Sequence, residues 1–216
     1  MGLIFRGMAT FNAKERTIEC KIVYYGAGRC GKTTNLEYLF RTFRKNAVAE
    51  MVSIDTKGDR TLYFDFLPMG LGKIRGCDVK VQLFTVPGQV KYISTRKMVL
   101  KGVDGIVFVA DSLEVRREAN LFSLKDLAEN LKEESKSISR IPLVIQFNKR
   151  DLEGNGIPVM PINAMEQDLN AKLKAPCRLA SAVDGNGVGA TLKDILLLTL
   201  RHLQRELHWA RENKRT

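Results

Sequence analysis

Residues 26–34 read GAGRCGKTT, set between the apolar run CKIVYY and the helix-like NLEYLFRTF. No other stretch restricts the fold as much. Gly26, Gly31, Lys32 and Thr33 satisfy G-x-x-x-x-G-K-[ST], a pattern that works as a turn joining a strand to the start of a helix. Glycines let the backbone wrap so that successive N–H groups point into one concavity, at which the positive end of the helix is aimed. Lys32 adds a point charge for the β- and γ-phosphates of a nucleotide, and Thr33 a hydroxyl for Mg²⁺. Gly28, Arg29, Cys30 and Thr34 complete the loop. Four specified positions arise by chance in a chain of this size on the order of once in a hundred. The flanking strand and helix patterns lower that further.

The rest of the chain supplies matching partners. IECKIVYY reads as a strand, and residues 32 to about 44 as a helix with Leu36, Leu39, Phe40 and Phe43 at helical spacing. TLYFDFL and DVKVQLFTV alternate as strands, while GIVFVA and IPLVIQFN are apolar almost throughout, as strands covered on both faces are. Residues 114–135 predict a helix with Leu121, Leu124, Leu127 and Leu131 in one stripe. A long amphipathic helix is predicted from about Thr191. This alternation predicts one α/β domain with a mainly parallel central sheet flanked by helices on both faces. Ligands of such sheets bind beyond the carboxyl ends of the strands, where every motif named here falls.

The base can be read from QFNKRD. Asn148, Lys149 and Asp151 form N-K-x-D at a strand end. A carboxylate placed as Asp151 is can accept from both the N1–H and the exocyclic amine of guanine. Adenine, with a lone pair at N1 and no 2-amino group, leaves it unpaired, a mismatch that discriminates strongly. Ser181 and Ala182 end another short strand, where the Ala182 N–H is placed to meet guanine O6.

Composition removes several classes. The net charge of +11 is spread along the chain and is not interleaved with aromatics, which argues against a nucleic-acid surface and allows only weak attraction to an anionic membrane. The longest apolar runs are too short to span a bilayer. Arg6 interrupts the apolar N-terminus and also occupies the place where myristoylation at Gly2 wants Ser or Thr. The expectation is a cytoplasmic chain without a membrane anchor. Cys20, Cys30, Cys77 and Cys177 form no C-x-x-C pair and read as reduced thiols, and His202 and His208 point in different directions on their helix.

The P-loop, PGQ, N-K-x-D and SA occur in this order in Ras-like small GTPases, which the chain resembles over nearly residues 18–205. KIVYYG, GKTTNL, DRTLYFDFLP, TVPGQV, RKMVLKGVDGIVFVADS and VIQFNKRDL are similar to the MglA branch of bacterial cell-polarity and motility GTPases. The resemblance implies a Ras-like G domain over residues 18–203, preceded by an arm (1–17) and followed by a helical, basic tail (204–216). It implies a GTP/GDP switch that hydrolyses GTP slowly alone and faster with an activating MglB-type roadblock-domain homodimer. Polarity or motility proteins become its effectors, and recruitment to a cell pole through partners is part of the same implication. Switch I becomes about 49–61 and switch II 87 to about 94. Thr61 then contacts Mg²⁺ and the γ-phosphate, Gly88 donates its N–H to that phosphate, Gln89 orients the attacking water, and Arg60 is an arginine finger supplied in cis. Gly28 stays small to leave them room. Metal ligands in this reading are Thr33 and Thr61.

One departure stands out. Ras-like proteins usually carry an aspartate where this chain has Thr85, a substitution shared by the MglA branch; whether Asp65 on the neighbouring predicted strand compensates for it in metal binding stays open in the sequence. Two other readings stay open: a nucleotide-bound scaffold with negligible hydrolysis, and a Walker-A ATPase or kinase in which N-K-x-D is accidental. The arm before Ile18 is either disordered or an extra strand.

Overall fold

The computed structural model describes residues 10–12, 16–48, 51–54, 64–74, 77–88 and 93–212. Among them a sheet of eight strands forms: β1 (Thr10–Asn12), β2 (Thr17–Tyr25), β3 (Val52–Ile54), β4 (Phe64–Ile74), β5 (Cys77–Thr85), β6 (Gly105–Asp111), β7 (Leu143–Asn148) and β8 (Cys177–Leu179). Their order is β3-β4-β5-β2-β6-β7-β8, with β1 paired to the start of β2. From β5 to β8 all pairings are parallel, whereas β3, β4 and β1 join antiparallel. The mainly parallel sheet is as the sequence predicts. The arm contributes β1, the second of its two alternatives.

The apolar runs explain the layering. β6 and β7 are buried along their whole length. Alternation along the strands sends Ile22, Tyr24, Val107, Val109 and Val144 to one face, where Leu36 and Leu39 of α1 (Lys32–Thr42) and Leu192 and Ile195 of α5 (Val188–Glu212) cover them. Val23, Tyr25, Ile106, Phe108, Ile145 and Phe147 face the other way. They meet α2 (Ile93–Leu100), α3 (Arg117–Glu133) and α4 (Ile162–Asn170). The predicted 114–135 helix is a short 3₁₀ turn, Glu114–Arg116, running into α3. The strand seen in TLYFDFL runs on to Ile74, with a register shift between Gly70 and Lys73, and forms a hairpin with β5.

Candidate nucleotide site

The glycine loop leaves β2 at Tyr25, at the carboxyl end of the parallel strands. Two of its glycines are required by the geometry. At Gly26 (φ +149) a Cβ would sit 2.2 Å from the Val109 carbonyl oxygen; at Gly31 (φ +99) it would sit 2.2 Å from Asn148 Nδ2. Neither the conformation nor the space admits a side chain. Arg29 is also left-handed, at φ 64, and exposed, while Cys30 is fully buried. Lys32 is buried, and its ammonium donates to the carbonyls of Gly26 (2.9 Å) and Ala27 (2.7 Å), which holds it across the concavity.

Asn148 joins two of the predicted motifs. Its Nδ2 donates to the Cys30 carbonyl at 2.8 Å, and its Oδ1 accepts from the Ala182 N–H at 2.9 Å. One buried side chain thus spans the loop after β2 and the loop after β8. Ser181 shapes the latter by donating to Asp184 at 2.9 Å and by its N–H to the Asn186 carbonyl. Lys149 is left-handed at φ 68 and pairs at 2.7 Å with Asp111, which is fully buried at the end of β6. Asp151 lies in the 3₁₀ turn Arg150–Leu152; among the described residues its carboxylate has no hydrogen-bond partner.

The departure at Thr85 has a structural answer. Asp65, 2% exposed on β4, accepts from Thr33 Oγ1 at 2.6 Å and from Thr85 Oγ1 at 2.8 Å, while the Asp65 N–H donates to Thr85 Oγ1 at 2.9 Å. A buried carboxylate is costly unless hydrogen-bonded, and this one is satisfied through the loop hydroxyl expected to hold the metal. Thr85 acts as a bracket that aims the Asp65 carboxylate at Thr33. The hydroxyl and carboxylate are hard oxygen donors of the kind Mg²⁺ takes. Among the described residues no group of three His, Cys, Asp or Glu gathers as a metal cage.

A cleft of about 1100 Å³ opens over the loop, walled by Thr85–Gly88 and by the near side of α3. Gly88 presses on the loop: a Cβ there would lie 2.3 Å from the Gly28 nitrogen. Two arginines that the motifs do not mark frame the same cleft. Arg116 donates to the Gly28 carbonyl at 2.6 Å and lies 3.7 Å from Asp111. Arg96 of α2, 3% exposed, pairs with Asp126 of α3 at 2.9 Å and reaches the Pro87 carbonyl at 3.5 Å. Asp126 also accepts from the Tyr25 hydroxyl, which burial and this carboxylate keep protonated far into the alkaline range. The sequence signal for Arg116 is position alone, since it follows the carboxyl end of β6, where Asp111 is the last residue; Arg96 carries none. Arg60, Thr61 and Gln89 lie outside the described residues, and Gly28's room for Arg60 and Gln89 falls with them.

What folds around Asn148 is a P-loop nucleotide-binding domain, with its two loops fixed at the ends of β2 and β8 in one sheet. The profile of the ADP-ribosylation factor family, Arf, matches residues 7–196. The mutual gliding-motility protein MglA of Myxococcus xanthus (strain DK1622) is 47% identical over 198 residues, covering 92% of this chain and 99% of that protein. The chain belongs to the Arf/Ras-like small GTPases, and among them to the MglA type, proteins that bind and hydrolyse GTP. The resemblance drawn from the motifs therefore holds.

Proposed function

We propose that this chain is a GTP-dependent switch for cell polarity or gliding motility, slow alone and stimulated by a roadblock-domain homodimer of the MglB type. The observation that carries it is the Asn148 bridge, which ties the phosphate loop to the 181–182 loop beside the Asp151 carboxylate, unpartnered among the described residues. Phosphates are held by the N–H groups of 26–34 and by Lys32. Guanine is read by Asp151 and the Ala182 N–H. Thr33 and, in the GTP state, Thr61 hold Mg²⁺, with Asp65 positioning Thr33. Bound there, Mg²⁺ would supply charge neutralisation at the phosphates. The water held by Gln89 bonds to the γ-phosphorus as the bridging oxygen leaves with GDP, its proton ending on the released phosphate, and Arg60 neutralises the charge that develops, an effect worth roughly 10³–10⁵ for arginine fingers. The satisfied Asp65–Thr33 pair weighs against the scaffold reading. The name of the Myxococcus relative supports the motility role. No described helix is long and apolar enough to cross a membrane; the switch reading makes the chain a cytoplasmic protein recruited to a pole by its partners.

Chromatography of nucleotide released from purified protein is expected to give guanine nucleotide; adenine nucleotide alone refutes the reading. Single-turnover hydrolysis with the roadblock dimer is expected to fall at least about a thousandfold in Arg60→Ala. A wild-type rate removes the finger.

A further inference from the structure

We propose that the pole opposite the phosphate loop carries a docking hollow for a short acidic segment of a partner protein, one that presents an apolar side chain between carboxylates. A hollow of about 230 Å³ lies between the loop entering β7, the loop entering β8 and the outer part of α5. Those loops precede the amino ends of parallel strands, whereas residues 26–34 follow a carboxyl end, so the two sites occupy opposite poles. The floor is a seam between the two cores. Ile138 and Ile141 pack with the α2–α4 side, and Leu198 with the α1–α5 side.

Three arginines stand around this floor. Arg140 comes from the loop before β7; Arg201 and Arg205, one turn apart, share a side of α5. All three are exposed, and none has a carboxylate partner among the described residues. Arg96, Arg116, Arg117, Arg150 and Arg178, by contrast, hold carboxylates, while Arg140, Arg201 and Arg205 are gathered around one hollow. His202 beside them is 3.2 Å from Glu206. A guanidinium presents a planar fork that matches a carboxylate with two parallel hydrogen bonds, and three forks around an apolar floor complement an acidic segment with one apolar side chain. The concavity favours a peptide over a membrane, because a flat bilayer surface does not reach the floor. The net charge of +11 adds attraction at a distance.

The test uses the full chain loaded with GDP and a fluorescein-labelled peptide, Asp-Glu-Asp-Leu-Phe-Asp-Glu-Asp, read by anisotropy. Binding is expected, weaker by at least about tenfold in the triple variant Arg140→Gln, Arg201→Gln, Arg205→Gln and for a peptide with Ser-Ser in place of Leu-Phe. GTP hydrolysis and nucleotide retention are expected to stay at wild-type values in that variant, which separates this surface from the nucleotide site. Equal peptide binding by wild type and the triple variant overturns the proposal, as does no binding at all. Equal affinity for the Ser-Ser peptide overturns it too. So does sedimentation with phosphatidylglycerol vesicles, lost in the triple variant, by a chain that ignores the peptide.

Discussion

Asp65 illustrates how a single side chain is fixed by its surroundings. Its carboxylate is buried and held by two threonine hydroxyls, of which only Thr33 belongs to the phosphate loop. Removing it strips Thr33 of its orienting partner and leaves Thr85 Oγ1 in a dry place without its acceptor. Asp65→Ala is expected to weaken the Mg²⁺ dependence of GDP affinity by about 10- to 100-fold, the range seen when outer partners of metal ligands are removed. Titrating GDP release against Mg²⁺ checks it; an unchanged midpoint shows that Asp65 serves packing alone. The glycine loop, Asn148 and Asp151 were legible in the sequence because their spacing is local and their chemistry specific. The Asn148 bond to Cys30 was not, since it joins positions 118 residues apart that only folding brings together.

At the scale of elements, legibility followed the periodicity. β6, β7, α3 and α5 bury continuous or regularly spaced apolar residues and can be read directly. α2 hides its pattern because two of its inward residues are polar, Thr95 and Arg96. α4 buries only Met165 and Leu169. The hidden helix matters: Arg96 ties α2 to α3 and to the Pro87 carbonyl at the start of switch II. The turn before α3 does similar work through Arg116, whose hydrogen bond to the Gly28 carbonyl holds the phosphate loop from outside. The Arg116 side chain is one-third exposed, so solvent weakens the bond. Arg116→Ala is expected to speed GDP release by about tenfold, the factor that corresponds to 1.4 kcal/mol. Stopped-flow release of a fluorescent GDP analogue measures it, and an unchanged rate removes Arg116 from the loop's support.

The whole molecule carries its stability on two cores astride one sheet, and this gives it a pH signature. Cys20, on β2, has its thiol pushed up from 9.0 to about 12, first by burial and then by Asp104 and Glu19. Below 9.0 the thiol is protonated in both folded and unfolded chains, so its contribution is constant there. Between 9.0 and about 12 the unfolded chain releases the proton while the folded chain keeps it, so stability falls as pH rises. Tyr24 and Tyr25, raised by burial, act in the same sense at higher pH. Lys21 and Lys136, lowered by burial, act in the opposite sense below 10.5. Cys20→Ala isolates the thiol: its stability is expected to decline less steeply over this alkaline window than wild type, read from urea midpoints. Equal slopes refute the assignment.

The bridge made by Asn148 also has a consequence for affinity. A ligand with a base at one end and phosphates at the other meets two grips whose separation is set before it arrives. Once either end is engaged, the other faces its own loop at a high effective concentration, and little ordering remains to be done. Guanosine or pyrophosphate alone forgoes that gain. The intact nucleotide is expected to bind more tightly than the sum of its halves, because the protein has already measured the distance between them.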